Sequence, residues 1–188
     1  MAEKKKFNFY RLILHAFGWR AESSVAPEKK CVILGVPHTS IADFLIAYFY
    51  YKAEGGKARV MIKKEFFWGP LGWILKAWGC IPVDRSSGAT VVRSVISAME
   101  KEEGDFHLCI APEGTRKPVK KWKMGYHAIA KAMGCPVYLG YFDWGRKRVS
   151  IGERFEISDN ARADTELIQK KYEEMKLTAK HPENYCTH

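Results

Sequence analysis

The chain has 188 residues, which suits one domain and lets it bury roughly 70% of its unfolded surface. Apolar residues make up 47% and charged residues 28%, a balance that excludes an intrinsically disordered chain. The formal net charge of +10 indicates an anionic partner, such as a phosphorylated substrate, lipid headgroups or nucleic acid.

The first 22 residues predict an amphipathic helix. Phe7, Tyr10, Leu14 and Phe17 recur at helical spacing, Ile13 widens this stripe, and basic residues flank it. Such a helix either lies on a membrane surface or packs on the core of the domain formed by residues 23–188.

Apolar β-rich runs alternate with helical segments through the rest of the chain. Strands are predicted at 31–36, 58–62, 80–85, 106–112, 136–144 and 148–157, and helices at 40–53, 71–78, 89–103, 124–133 and 165–176. The last two strands are predicted to pair through a turn at Gly145. This order predicts a single-domain α/β fold, with a mostly parallel or mixed sheet flanked by helices and an N-terminal amphipathic helix.

The five scattered cysteines form no C-x-x-C pair, and we expect buried thiols in a reducing compartment. Neither a metal-ligand spacing nor an apolar run long enough to cross a membrane is present, so we predict no metal and no membrane-spanning helix.

The segment after the first long apolar strand carries the first polar cluster. Ser40 and Asp43 have the S-x-x-D spacing of a capping box, which places Asp43 on the third helical residue with its carboxylate reaching back towards His38. We expect Asp43 to hydrogen-bond to His38 and fix its tautomer, so that His38 acts as a general base on a substrate hydroxyl. The alternative is structural: a capping box alone explains Ser40 and Asp43.

The second polar cluster follows the strand that ends near Ala111. Gly114 lets backbone N–H groups approach a ligand, Thr115 offers a hydroxyl, and Arg116 offers a bidentate fork suited to phosphate. Glu113 is expected to orient Arg116 or to accept a ligand hydroxyl. The alternative is a solvated basic loop, since lysines follow closely.

These stretches together resemble the glycerophosphate/lysophosphatidate acyltransferase family. The resemblance rests on the motifs H-x4-D at 38–43, G-x-I-x-x-x-R at 79–85, P-E-G-T-R at 112–116, a lysine-glycine element at 123–125 and a proline-led apolar strand at 135–140. The family often has a second proline where this chain has Gly140.

The resemblance implies that residues 23–188 are an acyltransferase domain. Its His38–Asp43 pair would activate a hydroxyl that takes a fatty acyl group from acyl-CoA or acyl-carrier protein. Five residues would bind the phosphorylated lipid or glycerol acceptor, namely Arg85, Glu113, Gly114, Thr115 and Arg116. The acyl chain would need an apolar groove, which the segment 66–78 is expected to supply.

It also implies a peripheral enzyme of phospholipid biosynthesis on an anionic membrane surface, at the cytoplasmic face. We expect no cofactor beyond the thioester co-substrate, and no nucleic acid partner. Two alternatives remain open: a phospholipid-remodelling transacylase, and a non-catalytic module that binds anionic lipid or nucleic acid.

Overall fold

The computed structural model describes residues 8–84 and 87–187, so the predicted phosphate ligand Arg85 and the predicted stripe residue Phe7 lie outside the described residues. The described strands are β1 (Arg20–Ala21), β2 (Lys30–Leu34), β3 (Ala58–Lys63), β4 (Cys80–Val83), β5 (Phe106–Ile110), β6 (Val137–Tyr138), β7 (Tyr141–Asp143), β8 (Arg148–Ser150) and β9 (Arg154–Phe155). The described helices are α1 (Phe9–Ala16), α2 (Ile41–Ala53), α3 (Gly69–Ala77), α4 (Gly88–Lys101), α5 (Gly125–Met133) and α6 (Ala161–Met175).

The larger sheet has six strands in the order β4-β3-β5-β2-β6-β9. Its first five strands pair in parallel, and β9 pairs antiparallel with β6. A smaller sheet has the order β1-β8-β7. The mixed sheet flanked by helices confirms the predicted fold class.

Strand β2 is buried on both faces, and its side chains alternate between two apolar layers as the two-residue period of a strand requires. Val32 and Leu34 pack in the layer that contains α4, α5 and α6. Cys31 and Ile33 pack in the layer that contains α2 and the smaller sheet. Both faces of the larger sheet are therefore covered, as parallel sheets require.

The predicted hairpin of two long strands at 136–144 and 148–157 is wrong in one respect, since each strand is divided between the two sheets. Glycines occupy the positions where each strand passes from one sheet to the other, because the backbones come too close there for a side chain. A Cβ atom on Gly140 would lie 2.4 Å from the Leu34 carbonyl oxygen, and one on Gly152 would lie 1.9 Å from the Leu139 carbonyl oxygen. Gly145 lies between β7 and β8, as expected.

The predicted N-terminal helical segment contains helix α1 and then strand β1, which pairs with β8. Helix α1 packs on α2: Leu14 is buried, and the Asn8 side chain donates a hydrogen bond of 2.7 Å to the Ala53 carbonyl oxygen. The opposite face of α1 is exposed at Phe9 and Leu12.

All five cysteines are free thiols, and Cys31, Cys80 and Cys135 are buried. Over the described ranges, no helix is long and apolar enough to cross a membrane.

Candidate active site

The two predicted polar clusters meet at one edge of the larger sheet. Strands β2 and β5 are parallel neighbours with Leu34 opposite Ile110, so the segments that follow them leave the sheet side by side. His38 lies four residues after the end of β2, and Glu113 lies three residues after the end of β5. The backbone N–H of His38 donates a hydrogen bond of 2.9 Å to Glu113 Oε1.

Asp43 is fully buried and is fixed by three donors. Its Oδ2 accepts the backbone N–H groups of Thr39 and Ser40 at 2.8 Å each, and its Oδ1 accepts the indole N–H of Trp144 at 2.8 Å. The Ser40 bond belongs to the predicted capping box, which is present at the start of α2. This network sets the position of the carboxylate before any substrate binds.

His38 Nδ1 lies 3.5 Å from Asp43 Oδ2, and the His38 side chain is 26% exposed. This distance is longer than an ordinary hydrogen bond, so the expected hydrogen bond between the two side chains is not formed in the structure. The two side chains nevertheless lie close together, with Nδ1 of His38 towards Asp43. Because the imidazole is partly exposed, a substrate can reach the histidine.

Trp144 was missed in the sequence analysis. It follows strand β7 and lies 101 residues from Asp43 along the chain. Its ring packs edge-on against the Trp19 ring, with 4.9 Å between the ring centroids. The ammonium groups of Lys147 and Lys180 each lie 4.8 Å from the centroid of the Trp144 ring. Since no local pattern links positions so far apart, the sequence carried no signal for this contact.

Glu113 joins the two clusters through its carboxylate. Burial raises its pKa to about 7, although the hydrogen bond from the His38 N–H acts in the opposite direction. Its second oxygen, Oε2, is buried and has no hydrogen-bond partner among the described residues. No hydrogen bond joins Glu113 to Arg116 within the described ranges, so the carboxylate positions the His38 backbone here and does not orient Arg116.

The turn at Gly114 has a backbone φ of +66°, which favours glycine. A Cβ atom there would lie 2.8 Å from Cδ and Cε of Lys123, so the aliphatic part of that lysine packs over the turn. The Lys123 N–H also donates a hydrogen bond of 2.7 Å to the Pro112 carbonyl oxygen. The lysine of the lysine-glycine element is thereby placed at the second cluster.

A cavity of about 410 Å³ opens beside the start of α2. Its walls carry cationic groups, hydroxyls and one apolar side chain, from Thr39, Ser40, Ile41, Thr115, Arg116, Lys117 and His181. Two of the predicted acceptor-binding residues, Thr115 and Arg116, therefore share a cavity with the start of α2. His181 was given no role in the sequence analysis.

A family model described as Acyltransferase matches residues 20–139. The chain belongs to this acyltransferase family. The resemblance inferred from the ordered motifs is therefore confirmed, and the H-x4-D and P-E-G-T-R motifs lie inside the matched residues.

The acyltransferase is also similar to a solved structure, the crystal structure of the 1-acyl-sn-glycerophosphate (LPA) acyltransferase, PlsC, from Thermotoga maritima. The TM-score is 0.64 at 18% sequence identity, over 91% of this chain and 78% of that chain. This likeness supports the α/β fold. No curated protein matches the acyltransferase.

Proposed function

We propose that the acyltransferase moves a fatty acyl group from an acyl thioester, acyl-CoA or acyl-carrier protein, to a hydroxyl of a lysophospholipid or glycerophosphate-like acceptor in phospholipid biosynthesis. The observation that carries the proposal is the partly exposed His38 held 3.5 Å from a buried carboxylate of Asp43. The next residue, Thr39, lines the cavity that contains Arg116 and Lys117, so the proposed base His38 lies beside a candidate anion site.

The proposed reaction follows from the orientation of the imidazole. Because Nδ1 faces Asp43, Nε2 takes the proton from the acceptor hydroxyl. The acceptor oxygen bonds to the thioester carbonyl carbon, the carbon–sulfur bond breaks, and the leaving thiolate takes the proton from His38. General-base catalysis by a positioned side chain contributes roughly 10²–10⁴-fold. These steps use only the acceptor and the thioester, so we propose no resident metal or cofactor.

We propose that the acceptor phosphate binds in the cavity, with Thr115 and Arg116 as ligands and the Gly114 turn beside them. Guanidinium groups bind phosphate oxygens in pairs, and the 410 Å³ cavity has room for a phosphorylated glycerol headgroup. Arg85, expected to contribute a further cation, remains a proposal from the sequence motif alone. A nucleic acid is not proposed as a partner.

We further propose that the enzyme is peripheral to the cytoplasmic face of a membrane, because a lysophospholipid acceptor resides in a bilayer. Helix α3 and the turn before it expose large apolar side chains, with Trp68 71% and Trp73 74% exposed. The segment 66–78, which was expected to line an acyl groove, therefore carries an exposed apolar surface. Phe66, Leu71 and Ile74 are exposed in the same segment.

Exposed lysines and helix α1 lie near this apolar surface. Lys63, Lys64 and Lys76 are exposed within or beside the segment, which suits anionic headgroups. The ring of Tyr48 on α2 stacks on the Trp78 ring, with 4.7 Å between the ring centroids. The Tyr48 and Tyr10 ring centroids are 6.1 Å apart, so α1 and the end of α3 both contact Tyr48. This arrangement favours a bilayer surface that contacts both helices.

The test is acyl transfer by the purified protein, comparing wild type, His38→Ala and His15→Ala. His15 is exposed on α1 and supplies a matched histidine control. With acyl-CoA and lysophosphatidate, we expect wild type and His15→Ala to form diacyl product and free CoA, and His38→Ala to lose at least a hundredfold in kcat. Free CoA is measured by chromatography, because the protein's own free thiols react with thiol reagents.

The design also separates the competing functions. Near-normal turnover by His38→Ala contradicts the general-base mechanism. Acyl transfer that requires an intact phospholipid donor and ignores both thioesters identifies a transacylase, and the absence of transfer from any of these donors identifies a binding module.

A further inference from the structure

The C-terminal segment after α6, residues 177–187, crosses the active site, although it lies beyond the residues matched by the family model. The Thr178 carbonyl oxygen accepts the backbone N–H of Trp144 at 2.8 Å. Three residues later, the backbone N–H of His181 donates a hydrogen bond of 3.2 Å to the Thr39 hydroxyl. The segment therefore contacts Trp144, which donates a hydrogen bond to Asp43, and Thr39, which follows His38 in the chain.

The far end of the segment is also held in place. The Trp122 indole N–H donates to the Cys186 carbonyl oxygen at 3.2 Å, and the Thr187 hydroxyl donates to Glu173 at 2.7 Å. Tyr185 is half-buried, and burial together with the nearby Glu113 carboxylate raises its pKa. With both ends anchored, the backbone holds His181 at a defined place.

His181 lines the same cavity as Arg116 and Lys117. Its imidazole is 46% exposed, and Nδ1 lies 3.6 Å from Glu183 Oε1. The carboxylate on the Nδ1 side leaves Nε2 available to a ligand. Thr39, Ser40 and Thr115 add hydroxyl donors, so the cavity offers an anion several hydrogen bonds from three parts of the chain.

We propose that His181 is an acceptor-binding residue, which binds the phosphate of the acceptor together with Arg116 and Lys117. The inference rests on the proposed function and extends it, since it assigns part of the acceptor site to the C-terminal segment. His181 faces the same cavity as the first residues of α2 and therefore positions the acceptor beside His38. It takes no part in the proton transfer.

The substitutions His181→Ala and His181→Arg test this proposal against a purely structural role. Both keep the backbone N–H that donates to Thr39, so we expect the melting temperature to stay near that of wild type. His181→Ala should raise KM for lysophosphatidate about tenfold with little change in kcat. His181→Arg supplies a donor to phosphate at the same position and should recover most of that loss.

The control substrate is a monoacylglycerol, which has the acceptor hydroxyl but no phosphate. Its KM, and the KM for acyl-CoA, should be the same in wild type and His181→Ala. An equal rise in KM for both acceptors, or no rise for lysophosphatidate, overturns the assignment of His181.

A binding measurement separates this proposal from the proposed reaction. Titration calorimetry with glycerol 3-phosphate should show weaker binding to His181→Ala than to wild type, whether or not turnover is observed. If wild type binds this probe through His181 but transfers no acyl group, the proposed reaction fails and the site stands. Equal affinity of the two proteins, or no binding by either, overturns the site.

Discussion

At the scale of single residues, the Asp43 carboxylate is held firmly in the proposed active site. It is fully buried and accepts three hydrogen bonds, two from the backbone of its own loop and one from Trp144. These hydrogen bonds matter for stability, since a buried acceptor left without a donor costs about 1–3 kcal/mol. Trp144 is the donor that side-chain substitution can remove.

Trp144→Phe keeps an aromatic ring beside Trp19 and removes only the indole N–H. We expect kcat for acyl transfer to fall about tenfold or more, because Asp43 loses a donor and no longer holds one position beside His38. The measurement is steady-state kinetics together with thermal unfolding. The control is Trp122→Phe, which removes an indole N–H that donates to the Cys186 carbonyl oxygen and not to Asp43. If the two variants have the same kcat, the Trp144 hydrogen bond has no role in catalysis.

Glu113 makes the stability of the protein depend on pH. Its pKa is raised by burial from 4.5 in the unfolded chain to about 7 in the folded protein. The protonated carboxyl therefore favours the folded state below pH 4.5, and this contribution is lost as the pH rises through about 7. The full difference is on the order of 3 kcal/mol.

Glu113→Gln removes this titration while the amide oxygen can still accept the His38 N–H. From pH 5 to pH 8, we expect the free energy of unfolding of the variant to rise relative to wild type. Urea denaturation at each pH under reducing conditions measures the difference. The exposed Glu103→Gln serves as the control and should run parallel to wild type. A parallel profile for Glu113→Gln contradicts the raised pKa.

The residues that could be predicted from the sequence are those fixed by local geometry. The S-x-x-D spacing placed Asp43 at the start of α2 and towards His38, because a capping box involves only four consecutive positions. Trp144 and His181 lie 101 and 142 residues from their partners at the site. Contacts of that kind depend on how the sheets assemble, and no spacing in a single sequence records them.

At the scale of secondary-structure elements, the same distinction separates the correct predictions from the wrong one. The parallel strands and their helices follow from apolar runs bounded by turn residues, so the order of β2 to β5 with α2 to α4 was predictable. The division of the last two strands between two sheets was not. It depends on the close approach of Gly140 to the Leu34 carbonyl oxygen, which is a tertiary contact.

Strand adjacency also explains how two distant motifs become one site. The H-x4-D motif follows β2 and the P-E-G-T-R motif follows β5, and these strands are parallel neighbours. In α/β sheets, ligands bind at the carboxyl ends of the strands, where the loops of adjacent strands meet. The pairing of β2 with β5 therefore places the proposed base beside the proposed phosphate ligands.

At the scale of the whole molecule, the exposed apolar surface and the charge have to be explained together. Trp68 and Trp73 are more than 70% exposed, and the chain carries a net charge of +10. Isolated exposed apolar residues are ordinary on protein surfaces, whereas clusters mark interaction sites. Tryptophan side chains prefer the boundary between headgroups and acyl chains, and lysines near an anionic surface contribute about 1 kcal/mol each.

The structure changes the way membrane attachment should be tested. Deletion of residues 1–20 would remove Leu14 and Trp19, which are 2% and 1% exposed in the core, so loss of binding would be confused with loss of the fold. Substitution of exposed side chains on α3 and its preceding turn avoids this. The double variant Trp68→Ser/Trp73→Ser leaves the buried Leu75 of α3 in place.

We expect the double variant to bind anionic vesicles at least tenfold more weakly than wild type at low salt, because burial of each tryptophan contributes on the order of 1 kcal/mol or more. Vesicle sedimentation measures the binding, and transfer to detergent-dispersed lysophosphatidate should be unchanged. Leu167→Ser on α6 is the control, since Leu167 is 47% exposed on a different helix. Added salt should weaken the residual binding of the double variant, which retains the lysines. If the double variant sediments with vesicles as wild type does, α3 does not contact the bilayer, and the exposed face of α1 becomes the surface to test.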